Sequence, residues 1–488
     1  MKSQLKKLIC LTGLILMLIG ICMIPSLIVA FIYRETVPAH CFLLTIIINV
    51  VLGKIITALF PIRKVSLKRR DQYLLVSAIW ILVSLISAVP VTLSGAIPSF
   101  VDSFFEMCSG YSTTGSTILV NIEALPKSML FWRSFTHWLG GMGIIVFTAA
   151  LVPSMGIKGQ AIASVESPGP TFDKQTAHYA DTAKRLYLLY LGFTAAQTIL
   201  LCFGGMSLYD ALIHTFGTVG TGGFSDYQDS IAFFASPYLR WVIILFMTMC
   251  GINFNLYFDL FKKGTREVFR DQELRLYLLI IIVCTAVIMI NLMATGVITN
   301  PFHSLTESMF QVTSLITTTG YATADFNAWP TFTKMLLLLL FLTGACSSST
   351  GGGVKIVRIV IALKMIKRGI KKKLYPSHVY SIKLNGKTVP REISADISNF
   401  IFFYIVTLFV GTLLISLNGK DLVTTFSSVL TCLGNVGPGF SLVGPSGNFD
   451  IFSPFSKIVL SLLMIAGRLE LYPFLLLFSP YCWNSKVH

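Results

Sequence analysis

Apolar residues in this chain fall in runs mostly about 19 to 25 residues long, separated by short segments that carry most of the charge. An α-helix of that length covers roughly 30 Å of hydrocarbon. Strands of a membrane barrel would alternate apolar and polar residues, and these runs do not. Two plain spans are predicted first, Leu8–Ile32 and Ala39–Phe60. After them a unit recurs: a span, a short apolar helix, a loop of glycine and threonine, and a second span. The spans predicted to flank the loops are Tyr73–Ser94 and Leu130–Val152, Leu186–Phe203 and Leu239–Phe261, Leu276–Val297 and a long segment from Phe332, and Phe400–Leu417 and Phe455–Phe478. The short helices predicted between them are Val101–Ser109, Leu208–Phe216, Leu305–Leu315 and Leu422–Leu433.

The loop glycines Gly115, Gly223, Gly320 and Gly437 stand 108, 97 and 117 residues apart, an internal repeat of about a hundred residues. The pattern predicts an all-α integral membrane protein of about ten transmembrane helices. Four span–pore helix–filter loop–span repeats would surround one pseudo-fourfold pore, preceded by two leading spans. The corresponding division is residues 1–70 for the leading two-span unit, then 71–160, 161–270, 271–390 and 391–488 for repeats one to four.

A backbone that turns inside a membrane is tolerable only where protein or a wet cavity surrounds it. Carbonyls freed there can replace the water around a cation. The residues expected to contact an ion are therefore Thr113, Thr114 and Gly115; Thr221, Gly222 and Gly223; Thr318, Thr319 and Gly320; and Asn435, Val436 and Gly437. In the second loop Gly220, Gly222 and Gly223 each qualify as the central glycine; the match of Gly223-Phe224 to Gly320-Tyr321 favours Gly223. Pro438 has no N–H to brace the fourth loop, so perfect fourfold symmetry is not expected. The C-terminal ends of the pore helices would direct partial negative charge at a cation.

A second feature interrupts the last span of repeat three. Three consecutive glycines, each about 1 kcal/mol worse than alanine in a helix, end the run Gly344, Ala345, Cys346, Ser347, Ser348, Ser349, Thr350, Gly351, Gly352, Gly353, and Lys355 follows closely. The apolar run from Phe332 to Ala345 is too short to cross before the break, which places the interruption near mid-membrane. Arg468 is a third feature, a charge inside the span Phe455–Phe478 that must face water or a partner. Glu470 is two residues away and does not share a helix face with it. Glu106 and Glu307, in pore helices, read either as pore acids or as caps near the outer mouth. His137 and His214 read as hydrogen-bonded helix residues.

Composition agrees with the pattern: 54% of residues are hydrophobic and 12% charged, outside the soluble globular range. The net charge of +16 sits in short segments between spans, which reads as membrane topology rather than nucleic-acid binding. The clusters Lys2, Lys6 and Lys7, then Arg63 to Arg70, then Lys262 to Arg275, then Lys355 to Lys373 are expected in the cytoplasm, with both termini on that side. Ten cysteines are scattered singly with no paired spacing, and they read as small buried hydrophobes. The basic N-terminus and its long apolar run are expected to form an uncleaved first span rather than a signal peptide.

The loops, the stretch Phe131–Gly143, the run Gly344–Lys355 and the segment Gly467–Glu470 resemble the TrkH/KtrB superfamily of bacterial potassium-uptake proteins. The resemblance covers nearly the whole chain, and the two leading spans favour the TrkH branch. It implies potassium as the ion in the filter and a gate formed by the Gly344–Lys355 run, with no enzymatic activity. It also implies a homodimer in the bacterial cytoplasmic membrane, surrounded by lipid, with one pore per protomer and a cytosolic nucleotide-binding ring resembling TrkA as regulator. Rival readings are the potassium-binding subunit of an ATP-driven pump and a cation-coupled secondary transporter with broken helices. No Walker loop or catalytic triad occurs in the chain, and the repeats run in the same direction rather than inverted.

Overall fold

The computed structural model describes residues 2–61, 69–143 and 179–477. Arg63, Lys64 and Lys68 of the first basic cluster lie outside the described residues. So do the predicted span Leu130–Val152 beyond residue 143, the division between residues 160 and 161, and residues 478–488.

Among the described residues six helices are long and apolar enough to cross a membrane: Ile9–Ile32, Thr36–Leu59, Asp71–Leu93, Lys184–Phe203, Gln272–Ala294 and Arg391–Ser416. They correspond to the two leading spans and the first, outer span of each repeat. The first span bends at Met23, where Pro25 removes one N–H from the helical ladder. Small residues let the leading pair approach closely: a Cβ placed on Gly53 would lie 2.5 Å from the carbonyl oxygen of Gly13. The turn between these spans holds Glu35, which reaches the start of the inner helix of repeat one. Its carboxylate accepts from the N–H groups of Lys127 at 2.6 Å and Ser128 at 3.0 Å, satisfying two free donors at that helix's positive end.

Inside each repeat the loop is delivered by a short helix: Phe100–Tyr111, Leu208–Val219, Pro301–Ile316 and Leu422–Gly434. These match the predicted helices to within a few residues, because each begins at a side-chain cap legible in sequence. Ser99, Ser207, Asn300 and Asp421 accept from N–H groups in the first turns of these helices. Ser99 and Ser207 stand three residues before Asp102 and Asp210, an acid placed where the helix dipole favours it.

The inner spans differ from expectation. Only that of repeat three was predicted to break, yet none of the four continues as one straight helix among the described residues. In repeat two Leu239–Phe261 is not one straight helix: Pro237–Cys250 and Phe254–Lys262 meet at 84°. Gly251 ends the first helix and Asn253 caps the second, its side chain accepting from the N–H of Asn255. In repeat three Thr331–Leu342 and Ile356–Leu374 flank the expected interruption. In repeat four the predicted span Phe455–Phe478 stops at Arg468 and restarts at Tyr472. Glu470 and Leu471 between them have φ of 57° and 66°, a left-handed reversal that ends a helix. In repeat one Lys127–Gly141 ends at a glycine pair. Arg468 therefore sits at a helix end rather than in the middle of a span.

Among the described residues the only paired strands are Lys383–Leu384 and Lys387–Thr388, an antiparallel hairpin turning at Asn385-Gly386. Asn-Gly is the dipeptide that tight hairpin turns favour.

Replacing Glu35 by Ala should strand two helix-start donors and loosen the leading pair from repeat one. The expected cost is on the order of 1–2 kcal/mol. A lowered unfolding temperature in detergent checks it, and Glu35→Gln should retain part of the loss because its amide oxygen still accepts.

Candidate functional site

The four loops share one backbone path. Each of these short helices is followed within two residues by one of left-handed conformation: Thr113, Thr221, Thr318 and Asn435, with φ of 54°, 54°, 57° and 54°. Two residues on stand Gly115, Gly223, Gly320 and Gly437, again left-handed, at 84°, 77°, 79° and 108°. The residue between them donates its N–H to the carbonyl five positions back. The pairs are Thr114 to Ser109 at 2.9 Å, Gly222 to Gly217 at 2.8 Å, Thr319 to Ser314 at 2.8 Å and Val436 to Thr431 at 3.0 Å. Two independent equivalences thus place Gly223, rather than Gly220 or Gly222, in register with the other three glycines.

These glycines touch one another's loops in rotation. A Cβ on Gly115 would lie 2.1 Å from the carbonyl oxygen of Gly222, and one on Gly223 2.0 Å from that of Thr319. One on Gly320 would lie 2.1 Å from that of Val436, and one on Gly437 2.8 Å from that of Thr114. The sequence of contacts returns to its start, so the four loops form a closed ring. A side chain at Gly115, Gly223 or Gly320 would collide with backbone as well as strain its own φ.

The strands leaving the ring are braced from the pore helices. Glu106 accepts from the hydroxyl of Thr117 at 2.8 Å and the N–H of Ile118 at 3.0 Å. Arg133 donates to Glu106 at 2.5 Å and to the carbonyl of Ser225 at 2.8 Å, and its guanidinium lies 3.4 Å from the centre of the Phe224 ring. In repeat two His214 takes the bracing place, its Nε2 3.0 Å from the hydroxyl of Ser225. In repeat three Glu307 holds Thr323 and pairs with Arg240 at 2.6 Å. Both glutamates therefore brace the outgoing strands. His137 bonds the carbonyl of Gly110 at 2.7 Å, and its ring occupies the space a Cβ on Gly222 would need. The fourth loop departs from the others: the Asn435 amide donates to the Thr114 hydroxyl at 3.0 Å and to the Met464 carbonyl at 2.9 Å.

The interrupted segment of repeat three lies directly against this ring. The N–H of Gly352 donates to the Thr318 hydroxyl at 2.7 Å, and a Cβ on Gly352 would lie 2.8 Å from that of Asn435. A Cβ on Gly351 would meet the Thr317 carbonyl oxygen at 2.9 Å. The loop closes on itself where Gly344 donates to the Val354 carbonyl and Ile356 to that of Ala345. Gly353 and Ser348 turn it with φ of 66° and 51°, and Ser349 donates to the Cys346 carbonyl at 2.5 Å. Lys355, almost fully buried, donates to the Gly351 carbonyl at 2.5 Å. Repeat two holds the other side: Phe254 donates to Ser348 at 3.2 Å and Cys346 to Gly251 at 3.0 Å, while the Thr350 hydroxyl faces the Cys250 carbonyl at 3.4 Å.

Arg468 completes the arrangement. Its guanidinium donates to the carbonyl of Thr350 at 2.6 Å and to those of Gly140 and Gly141 at 2.6 and 2.7 Å. One side chain from repeat four thus binds the interrupted segment of repeat three and the inner-helix end of repeat one. Glu470 pairs with Arg358 instead, at the far end of the same segment. Sequence reasoning missed Glu273, whose carboxylate accepts from the Ser347 N–H at 2.6 Å and its hydroxyl at 2.7 Å. An acid in a helix's first turn reads only as a dipole partner, so nothing local marked it.

A ring of four loops meeting at four glycines, set among helices apolar enough to cross a membrane and backed by an unwound segment, is the architecture of a multi-pass membrane protein. The TrkH family profile, described as a cation transport protein, matches residues 39–485. The Trk system potassium uptake protein TrkH of Escherichia coli K12 is 35% identical over 481 residues, 97% of this chain and 98% of that one. The Escherichia coli protein TrkG is 34% identical over 480 residues, 97% of each chain. The crystal structure of the potassium transporter TrkH from Vibrio parahaemolyticus superposes with a TM-score of 0.88 at 32% identity, covering 99% of this chain and 100% of that one. The chain belongs to the TrkH family, and it is a transporter rather than an enzyme.

One acid outside the spans is poised to titrate. Asp226, in the loop leaving the ring in repeat two, is buried, 3.9 Å from the Lys127 ammonium and 3.8 Å from His214 Nε2. Burial first, then the Asp210 carboxylate, push its pKa up to about 7, against the opposing pull of Lys127. A carboxyl raised in the folded state stabilises fully at acid pH and loses that contribution as pH rises towards 7. Thermal stability should therefore decline between about pH 4 and 7. Asp226→Asn should remove that part of the decline, a result readable in melting curves across the range.

Proposed function

We propose that the chain takes up potassium ions through the centre of the four-loop ring, with the segment from Gly344 to Lys355 as its gate and Arg468 as the gate's anchor. The observation that carries this reading is the closed rotation of glycines against carbonyls. At each of the four glycines the nearest atom in the next loop is a backbone carbonyl oxygen, the kind of group that can replace a cation's water. Thr113 to Gly115, Thr221 to Gly223, Thr318 to Gly320 and Asn435 to Gly437 would line it. Potassium is the cargo by analogy with the Trk potassium uptake proteins that match over nearly the full chain.

The same reading divides the chain into a leading two-span unit of residues 1–70 and repeats at 71–160, 161–270, 271–390 and 391–488. It places the protein in a bacterial cytoplasmic membrane with both termini inside, supported by basic residues gathering on one set of connections. Exposed leucine, isoleucine and phenylalanine side chains on the outer spans fit a lipid surface. The chain carries no nucleotide motif of its own, so regulation would come from a cytosolic nucleotide-binding ring resembling TrkA, acting on a homodimer of this chain. The helix Ile356–Leu374, which continues from the gate and ends in Lys371, Lys372 and Lys373, offers that partner a basic surface.

Gly320→Ser tests the filter. Its φ of 79° and the Val436 carbonyl leave no room for a side chain. The discrimination of K⁺ from Na⁺ should fall on the order of tenfold, the equivalent of about 1.4 kcal/mol. An unchanged permeability ratio in folded protein in liposomes would remove the loops from the role of filter.

Neutralising Lys371, Lys372 and Lys373 together tests the docking surface. Association with the regulatory ring should weaken and become less salt-dependent. Retention of binding and of its salt dependence would move the docking site elsewhere.

A further inference from the structure

Glu273 lies on the outer span of repeat three, yet both ends of the interrupted segment converge on it. Its Oε1 accepts from the N–H of Ser347 at 2.6 Å and from that of Val357 at 3.1 Å, while Oε2 accepts from the Ser347 hydroxyl at 2.7 Å. The carboxylate is 5% exposed. It thus spans the base of the loop and holds the two chain ends at a fixed separation, with charge-assisted hydrogen bonds that are stronger than neutral ones. Removing it would leave two buried N–H groups without an acceptor.

The same helical turn has a second attachment. Asp271 and Gln272, immediately before Glu273, hold the tip of the 383–388 hairpin. The Asn385 amide donates to Asp271 at 2.6 Å and accepts from the Gln272 N–H at 2.9 Å, satisfying one of the free donors at the helix start. Lys364, on the helix that continues from the loop, donates to the Gln272 side chain and to the Lys383 carbonyl at 2.6 Å. Ile382 and Leu384 are buried and root the hairpin, whereas its turn borders a cavity of about 370 Å³ lined by Asp259, Glu267 and Arg270 among others. The tip thus has open space on one side and is held on the other by Asn385, while the base is packed.

We propose that Glu273 is a positioning residue that clasps the interrupted segment in its ring-contacting form, and that the hairpin sets this clasp through Asn385. This rests on the segment being the gate. Displacing the hairpin tip frees the first turn of the outer span, which draws Glu273 away from Ser347 and Val357 and lets the loop leave the ring.

Three variants of the full-length chain, purified without its partner and placed in liposomes, test the proposal by rubidium flux and by amide hydrogen exchange at Ser347 and Val357. Glu273→Ala should raise flux several-fold and speed both exchanges. Glu273→Gln, which keeps the Oε1 acceptor, should fall between it and the parent. Asn385→Gly preserves the left-handed turn and removes only the contacts to Asp271 and Gln272; it should give the same changes in smaller measure, far from the ion path. Unchanged exchange in Glu273→Ala overturns the clasp, and if that variant does not fold, unchanged exchange in Asn385→Gly overturns it. A chain shortened across Ser347–Gly353 separates the two readings. If it conducts faster while Glu273→Ala does not, the clasp fails alone. If exchange speeds in Glu273→Ala but flux is unchanged in both, the contacts stand and the gate reading fails.

Discussion

A backbone that leaves its helix inside an apolar slab must find partners for the N–H and C=O groups it frees, since hydrocarbon supplies none. Among the described residues this chain leaves its helices at four loops and at four inner-span ends; the loop N–H groups are met within their own repeats, while the inner-span ends also draw on neighbouring ones. Loop one faces the carbonyl of loop two and so on around the ring. The inner-helix end of repeat one gives its carbonyls to Arg468 of repeat four, and the interrupted segment of repeat three leans on Gly251 and Phe254 of repeat two. These contacts tie the repeats together at their irregular backbone.

The buried charges follow the same logic. A charge within the membrane is costly unless fully satisfied. Here Arg468, Lys355, Glu273, Glu106 and Arg133 each bind backbone groups at the irregular positions. They act as replacements for absent helical hydrogen bonds, and Glu106 and Arg133 also pair with each other. Glutamates answer free N–H groups, while arginine and lysine answer free carbonyls. At these five positions the sign of the charge thus tracks which end of the broken ladder it faces.

Spans, loops and pore helices were legible in sequence because each has a local cause: an apolar run of bilayer length, a serine or asparagine cap, a glycine where φ must be positive. The interruption at Ser347–Gly353 was legible for the same reason, as no helix sustains three glycines in a row. The breaks near Gly251 and Glu470 were not. A single glycine in an apolar run is common, and Glu470 turns left-handed where it pairs with Arg358, which lies 112 residues away in the chain. Glu273 and Glu35 escaped notice on similar grounds, since the backbone groups they serve are distant in sequence. Arg468 was marked by its cost, but its three acceptors emerge only once repeats one and three stand beside it.

The closed ring is built from one chain rather than from four copies. In an assembly of identical subunits every substitution enters all quadrants at once, so an awkward residue is multiplied fourfold or forbidden. A covalent ring admits a change in a single quadrant. Asn435 and Pro438 occupy the fourth loop alone, and Asn435, where the other loops have threonine, spends its amide on Thr114 and Met464. Fusion of the repeats thereby frees symmetry from being a requirement, and lets one quadrant take up its own side-chain contacts while the glycine geometry stays common to all four.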